Sequence, residues 1–350
     1  MIYGHFVKTT RPNVVNHSFN MKMILYAMLT LYLASHTYKM FDPPNGFHAW
    51  RESDTAAVSE AFYKETLNIF KPRTHQRHDK TGITGMEFPV YNYLTGLLYR
   101  AFGFSHGIPR MLSTFIGLLG LVGLYRLAHF LFDDKIALIS VWLAICSPLF
   151  FFYSRKIQPD IIIFSGTIWA LFFFLRYIKE ESLVNLVVSL FLICLSGLVK
   201  PTALALGVPM LFALINKHDG AFRFLLYPRY ILLAPIVIAV VFGWNAYARF
   251  LSERYELQVY YLGGNQLEYW QATDWTGFFK RVFRSWLIEL FLGTVTTIGL
   301  IVGALYNRSW NNSIRLMLLW LLGCYVMFFV TAQHMGNHHD YYGLIAVPAL

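Results

Sequence analysis

The chain has 350 residues, of which 56% are hydrophobic and only 14% are charged. Soluble domains carry about 25% charged residues, so this composition excludes a water-soluble protein and predicts one that crosses the membrane several times. The net charge is +10. The basic residues are spread over the loops between apolar segments, which favours contact with anionic lipid headgroups and argues against nucleic acid as a partner.

Several apolar runs are about 17–25 residues long, enough for a helix to cross the hydrocarbon core. They predict an all-α polytopic membrane protein with about nine to ten transmembrane helices. Lys200-Pro201 separates two of the runs, because proline restricts the residue before it and ends the helix there. The predicted spans cover about 22–39, 108–131, 136–152, 159–178, 183–200, 202–216, 230–248, 286–306 and 314–332, and a further span starts at 343.

The loops between the spans predict an orientation. Short loops that would share one side with the N-terminus carry the basic residues Lys135, Arg176, Lys179, Lys217, Arg223, Arg229, Arg308 and Arg315. By the positive-inside rule this side is cytoplasmic, and the two long loops, 40–107 and 249–285, are extracytoplasmic. In the first loop the apolar spacing predicts two amphipathic helices, over 55–69 and 90–102, that lie in the membrane interface. We therefore interpret 1–350 as a single membrane module.

The first long loop also contains the densest group of charges, His48-Ala49-Trp50-Arg51-Glu52-Ser53-Asp54-Thr55. Asp54 has two interpretations: a charge that stabilises the N-terminus of the following helix, or a general base or metal ligand. Arg51 would pair with Asp54 or bind a phosphate group. Glu87 precedes an apolar Phe-Pro step, where an unpaired carboxylate would be costly.

Further charged groups lie at the same outer edge of the membrane. Arg155, Lys156 and Lys200 either extend towards lipid headgroups or hold a charged substrate. The run from His334 to Tyr342 contains His338 and His339, whose spacing fits no established zinc pattern and equally suits a lipid phosphate. Carboxylates beside cations at a membrane surface are suited to transfer from a lipid-phosphate donor, whose leaving group is a phosphate.

Six segments, in this order, resemble glycosyltransferase family 39. This is the protein-mannosyltransferase-like branch of the C-type glycosyltransferases, which includes the aminoarabinose transferases. The resemblance covers residues 41–350. The segments are WRESDTAAVSEAFY, GMEFPVYNYLTGLLYRAFG, IPRMLSTFIGLLGLVGLYRLAHFLF, SPLFFFYSRKIQPDIIIF, GLVKPTALAL and HHDYYGLIAVPAL.

The resemblance implies the C-type glycosyltransferase fold and an enzyme of a bacterial or archaeal cytoplasmic membrane, with its active site facing outward. Such an enzyme transfers a sugar, with inversion, from a polyprenyl phosphate to a protein, lipid or glycan acceptor. The implied catalytic residues are Asp54 and Glu87. The implied ligands of the donor phosphate are Arg51, Arg155, Lys200, His338 and His339. Asp54, Glu87 and His338 are the implied ligands of a divalent metal cation.

Three features depart from the family pattern. Arg-Glu-Ser-Asp replaces the usual Asp-Glu pair of the first loop, and Phe88 stands where aminoarabinose transferases carry a lysine. The chain also ends at Leu350 inside an apolar run, which predicts a C-terminally truncated relative. Three alternatives remain open. They are a transporter or flippase of lipid-linked sugars, although few charges lie within the predicted spans, a lipid-linked glycan ligase or polymerase, and a purely structural membrane subunit.

Overall fold

The structure is a computed structural model that describes residues 15–77, 80–218, 223–257, 274–282, 284, 311–332 and 339–350. Within these ranges there is no β-strand, and an isolated antiparallel bridge joins Arg73 to Ile83. The α-helices are α1 (Val15–Ser35), α2 (Ala49–Lys64), α3 (Val90–Phe102), α4 (Gly107–Leu131), α5 (Asp134–Cys146), α6 (Pro148–Tyr153), α7 (Ile161–Glu180), α8 (Leu183–Val199), α9 (Gly207–Lys217), α10 (Pro228–Arg254), α11 (Trp275–Phe279) and α12 (Asn312–Val330). Helices of the 3₁₀ type cover Pro201–Leu206, Arg223–Leu226, Asp340–Ile345 and Val347–Ala349.

Four of the described helices are long and apolar enough to cross a membrane: α4, α7, α10 over Tyr230–Arg254, and α12. Shorter apolar helices cover Met21–Ser35, Leu183–Val199 and Pro201–Lys217. The predicted all-α polytopic membrane fold is thus confirmed. Helix α7 packs between α4 and α8 at the centre of the bundle. The apolar window of α7 is 83% buried, whereas that of α10 is 22% buried, so α10 lies at the periphery.

Two predicted spans differ from the structure. The run 136–152 is divided into α5 and α6 because Ser147 accepts a hydrogen bond from the Phe150 amide and Pro148 begins the new helix. From 343 the chain forms 3₁₀ turns that pack on α6 and α7, and the expected start of a helical span is wrong there. The predicted span 286–306 lies outside the described residues.

Both helices predicted in the first loop form, but the first covers Ala49–Lys64, so it begins and ends earlier than the predicted 55–69. Helix α2 starts at Ala49, directly after His48, whose φ of 63° ends the preceding loop in a left-handed conformation. Arg51, Glu52 and Asp54 are therefore helical residues, and they do not precede the helix. Successive side chains on a helix point in different directions, so these three charges reach different partners.

The loop before α3 packs tightly on the end of α10. The Gly85 amide donates to Ser252 Oγ (3.1 Å), the Thr84 hydroxyl donates to the Leu257 carbonyl (3.0 Å), and the Trp244 indole donates to the Met86 carbonyl (2.9 Å). A Cβ atom on Gly85 would lie 1.8 Å from the Ala248 carbonyl oxygen. This close approach fixes the position of the adjacent Glu87-Phe88 step.

We expect Gly85→Ala to lower the free energy of unfolding by about 1–3 kcal/mol, because the new methyl group must push the loop away from α10. Gly207→Ala is the matched control, since a Cβ atom there meets nothing within 4 Å. Thermal unfolding of both purified variants in detergent measures the difference. Equal midpoints for the two variants would show that the loop does not pack on α10 as closely as described.

Candidate active site

The first turn of α2 lies where two groups of charged side chains meet. Arg51 forms an ion pair with Glu87, and its side chain is only 10% exposed. The neighbouring Glu52 is fully buried and faces Arg110 and Lys156 instead. Asp54, one turn further along, is half-buried. Charged residues from the first turns of one helix thus belong to two separate clusters.

The first cluster, which we call the Arg51–Lys200 cluster, is formed by Arg51, Glu87, Asp160, Lys200, Tyr341 and Tyr342. Lys200 forms an ion pair with the buried Asp160, and its ammonium lies 4.0 Å from the ring centroid of each tyrosine. Lys200 has an extended backbone between α8 and the 3₁₀ helix at Pro201. This extended residue confirms the predicted break at Lys200-Pro201.

The two ion pairs belong to one electrostatic environment. Burial raises the pKa of the Tyr341 hydroxyl, the charge of Arg51 lowers it, and Asp160 and Glu87 raise it. Burial also raises the pKa of Tyr342, with Asp160, Arg51 and Glu87 acting on it in the same directions. Charges of both ion pairs therefore act on these two tyrosines.

Asp54 borders the same cluster. Burial raises the pKa of its carboxyl, the positive charge of Arg51 opposes this rise, and the negative charge of Glu87 adds to it. Gln76 Nε2 donates a hydrogen bond to Asp54 Oδ1 over 3.4 Å. A half-buried carboxyl with a raised pKa beside an arginine has the properties of a general base.

The second cluster surrounds Glu52 and was not predicted as a site. Arg110 Nη2 lies 3.1 Å from Glu52 Oε2, and Lys156 Nζ lies 3.0 Å from Glu52 Oε1. Arg110 comes from the start of α4 and Lys156 from the α6–α7 connection, so the carboxylate joins three parts of the chain. The sequence does place Arg110 at the start of the predicted span 108–131, and an arginine at the membrane edge requires a counter-charge.

Arg155 lies with this second cluster. Its guanidinium donates to the Tyr38 carbonyl, and its own carbonyl accepts a hydrogen bond from Arg110 Nη1 over 3.1 Å. Lys156 likewise donates to the Asn45 carbonyl (3.2 Å). The structure thus places Arg155 where it holds the loop before α2, and a role of Arg155 in phosphate binding stays a prediction.

The C-terminal segment is tied to the start of α2 by Asp340. Its Oδ1 lies 3.0 Å from His48 Nε2 and also accepts a hydrogen bond from the Tyr153 hydroxyl. His339 lies beside it, 5.9 Å from the Trp50 ring and 2.7 Å from the Tyr341 hydroxyl. His338 lies outside the described residues.

In the described part of the chain, no three His, Cys, Asp or Glu side chains are grouped as metal ligands. Asp54 and Glu87 are close enough for the charge of Glu87 to act on Asp54. The third expected ligand, His338, is not among the described residues. The divalent cation expected from the sequence therefore stays a prediction.

The described residues form an open apolar cleft of about 500 Å³. Its lining residues are Phe70, Phe88, Leu198, Val240, Gly243, Trp244 and Tyr247. The Phe88 amide donates to the Leu198 carbonyl (3.0 Å), and the Phe88 and Trp244 rings are 4.9 Å apart. Phe88 directly follows Glu87, and Leu198 is two residues before Lys200. The cleft is therefore lined in part by residues that are close in sequence to members of the cluster, and in part by residues of α10.

Residues 86–245 match the sequence model of a family described as dolichyl-phosphate-mannose-protein mannosyltransferase. The fold matches the crystal structure of ArnT from Cupriavidus metallidurans bound to undecaprenyl phosphate, with a TM-score of 0.62 and 13% identity. That match covers 93% of this chain and 57% of ArnT. No individual curated protein sequence matches the chain.

The chain therefore has the fold of the C-type glycosyltransferases, which are polytopic membrane proteins. The resemblance to their mannosyltransferase-like and aminoarabinose-transferase-like branch is confirmed by the family match and the structural match together. The chain is accordingly an integral membrane protein. It spans 57% of the length of the solved structure it resembles.

Proposed function

We propose that the chain transfers a sugar from a polyprenyl phosphate to an acceptor on the extracytoplasmic side of the membrane, with inversion. The observation that carries this proposal is the apolar cleft, whose lining residues Phe88 and Leu198 are one residue from Glu87 and two residues from Lys200 in sequence. A polyprenyl phosphate has an apolar chain joined to an anionic head, and these two features require an apolar groove beside cations. The family description and the ligand of the solved ArnT structure name lipid phosphates of this kind.

Arg51 and Lys200 are the proposed ligands of the donor phosphate. When the bond between the sugar and the phosphate breaks, negative charge develops on the phosphate oxygen, and a nearby cation stabilises that charge most strongly in a site shielded from water. The planar guanidinium of Arg51 can donate two parallel hydrogen bonds to a phosphate. His339, close to the start of α2, is the described member of the predicted histidine pair.

Asp54 is the proposed general base. An inverting transfer is a single displacement, in which the acceptor hydroxyl attacks the sugar from the side opposite the phosphate and loses its proton. A half-buried carboxyl one helical turn from Arg51 is positioned to accept that proton while Arg51 holds the phosphate. The acceptor is a hydroxyl-bearing protein, lipid or glycan.

The outward orientation rests on the loops. The first long loop carries α2 and α3, and its charges form the proposed site, whereas the basic residues of the short loops lie on the opposite side by the positive-inside rule. A donor with its sugar on the extracytoplasmic surface would reach the site without crossing the bilayer.

We expect Gly243→Leu to weaken binding of a short prenyl phosphate, farnesyl phosphate, by about tenfold or more, because the leucine side chain fills the cleft. A Cβ atom on Gly243 meets nothing within 4 Å, so the substitution should leave the fold intact. Gly207→Leu is the matched control at an equally open glycine outside the cleft. Calorimetric titration of the purified protein gives both affinities. Unchanged binding to Gly243→Leu would place the lipid chain elsewhere.

A further inference from the structure

The proposed phosphate ligands are already neutralised by carboxylates of the chain. In the Arg51–Lys200 cluster, the described residues provide two cations, Arg51 and Lys200, and each is in contact with a carboxylate, Glu87 or Asp160. Asp54 adds a further negative charge at the border of the cluster. An incoming phosphate therefore meets no surplus of positive charge among these groups, and binding requires that one ion pair open.

The two ion pairs differ in how easily they can open. Asp160 is 1% exposed, and Lys200 has two tyrosine rings 4.0 Å from its ammonium, so separating this pair would leave an unpaired charge in a dry site. Such a separation is strongly unfavourable. Glu87 is 18% exposed, the most accessible of these carboxylate partners. Its carboxylate can regain contact with water when it leaves Arg51.

The position of Glu87 also favours exchange. Glu87 is followed directly by Phe88, which lines the apolar cleft, so the Arg51–Glu87 pair is the ion pair closest in sequence to the cleft. Carboxylate and phosphate oxygens accept the same pair of guanidinium hydrogen bonds. The phosphate therefore competes with Glu87 for one guanidinium.

We infer that Glu87 is an exchangeable counter-ion: its carboxylate holds Arg51 in place until the donor phosphate displaces it. This inference rests on the proposed function. No covalent bond changes in the exchange, since one anion replaces another on Arg51. Glu87 thereby fixes the guanidinium before the donor arrives and lowers the affinity for prenyl phosphates in general.

The test compares the binding of farnesyl phosphate and of the uncharged farnesol to purified protein in detergent. Glu87→Gln keeps the shape of the side chain and removes its charge, and it should bind farnesyl phosphate about tenfold more tightly than the wild type. Farnesol affinity should be unchanged, because farnesol has no phosphate. Glu87→Asp, one methylene shorter, should give a smaller gain in the same direction and serves as the second variant if Glu87→Gln does not fold.

Glu65→Gln is the matched control, since Glu65 pairs with Arg73 (3.1 Å) and Arg77 away from the cluster. It should leave both affinities unchanged. If the wild type binds farnesyl phosphate and the Glu87 variants bind it equally or more weakly, the exchange is overturned while the proposed function stands. If the wild type binds neither compound, the proposed function fails, and the exchange fails with it.

Discussion

Asp54→Asn is expected to reduce the rate of sugar transfer by about 10²–10⁴-fold, because the amide cannot accept the proton of the acceptor hydroxyl. Donor binding should persist, since the proposed phosphate ligands, Arg51 and Lys200, are unchanged. The measurement is transfer of radiolabelled sugar in membranes, together with titration of farnesyl phosphate. Glu60→Gln, which removes another carboxylate from the same helix, is the control and should retain full activity.

The raised pKa of Asp54 leads to two further expectations, one for the pH dependence of the wild type and one for the stability of Asp54→Asn. Transfer by the wild type should decline on acidification at a higher pH than the ordinary carboxyl pKa of 3.8 would give, because only the ionised carboxylate accepts a proton. A carboxyl with a raised pKa binds its proton more tightly in the folded state, so the free energy of unfolding falls as pH rises through that pKa. Asp54→Asn should therefore unfold at a higher temperature than the wild type at neutral pH. Unchanged transfer in a well-folded Asp54→Asn protein would exclude the general-base assignment.

Glu52→Gln is expected to lower the free energy of unfolding by about 3–5 kcal/mol, the largest stability effect foreseen for a single side chain here. The substitution leaves Arg110 and Lys156 buried without their carboxylate, and it loosens the attachment of α2 to α4 and to the α6–α7 connection. Thermal and denaturant unfolding in detergent provide the comparison.

The control for Glu52→Gln is again Glu60→Gln. Glu60 lies on the same helix, is 23% exposed and pairs with Lys64 one turn away. A surface pair of this type contributes little to stability, so the control should unfold close to the wild type. If Glu52→Gln is no less stable than Glu60→Gln, the buried three-residue contact is not what holds α2.

Hydropathy was sufficient to predict the helical membrane fold and the break at Lys200-Pro201. It was insufficient at 136–152, where the apolar run is continuous but Ser147 and Pro148 end one helix and begin another. The sequence predicts that α2 starts at Thr55, where a Ser or Thr is available as the N-cap. In the structure the charged residues before Thr55 are helical, since their charges are paired with residues distant in the chain.

The prediction of the site was limited in the same way, because the partners of its charged residues are distant in the chain. Arg51, Glu87 and Lys200 were identified from charge at the membrane edge, and the structure brings them together. Arg155 looked equivalent in sequence, yet it donates to a backbone carbonyl of the loop before α2. Glu52 differs from its neighbours only in the direction its side chain takes from the helix, which depends on where the helix begins.

The cleft could not be foreseen, because it forms between segments far apart in the chain. Phe70 and Phe88 come from the first long loop, Leu198 from the end of α8, and Trp244 and Tyr247 from α10. Each of these residues separately resembles ordinary lipid-facing bulk. The close approach of Gly85 to Ala248 brings the first long loop to α10.

Lipid mass spectrometry of the protein purified in mild detergent tests most directly whether the chain holds a polyprenyl phosphate. The wild type should carry polyprenyl phosphate or its sugar-linked form, and the mass of the adduct would identify the sugar. The Arg51→Gln/Lys200→Gln double variant should lose this lipid, and the Gly243→Leu variant should retain much less of it than Gly207→Leu. Bulk phospholipid alone, in equal amounts in all four proteins, would contradict a donor site in the cleft and the Arg51–Lys200 cluster.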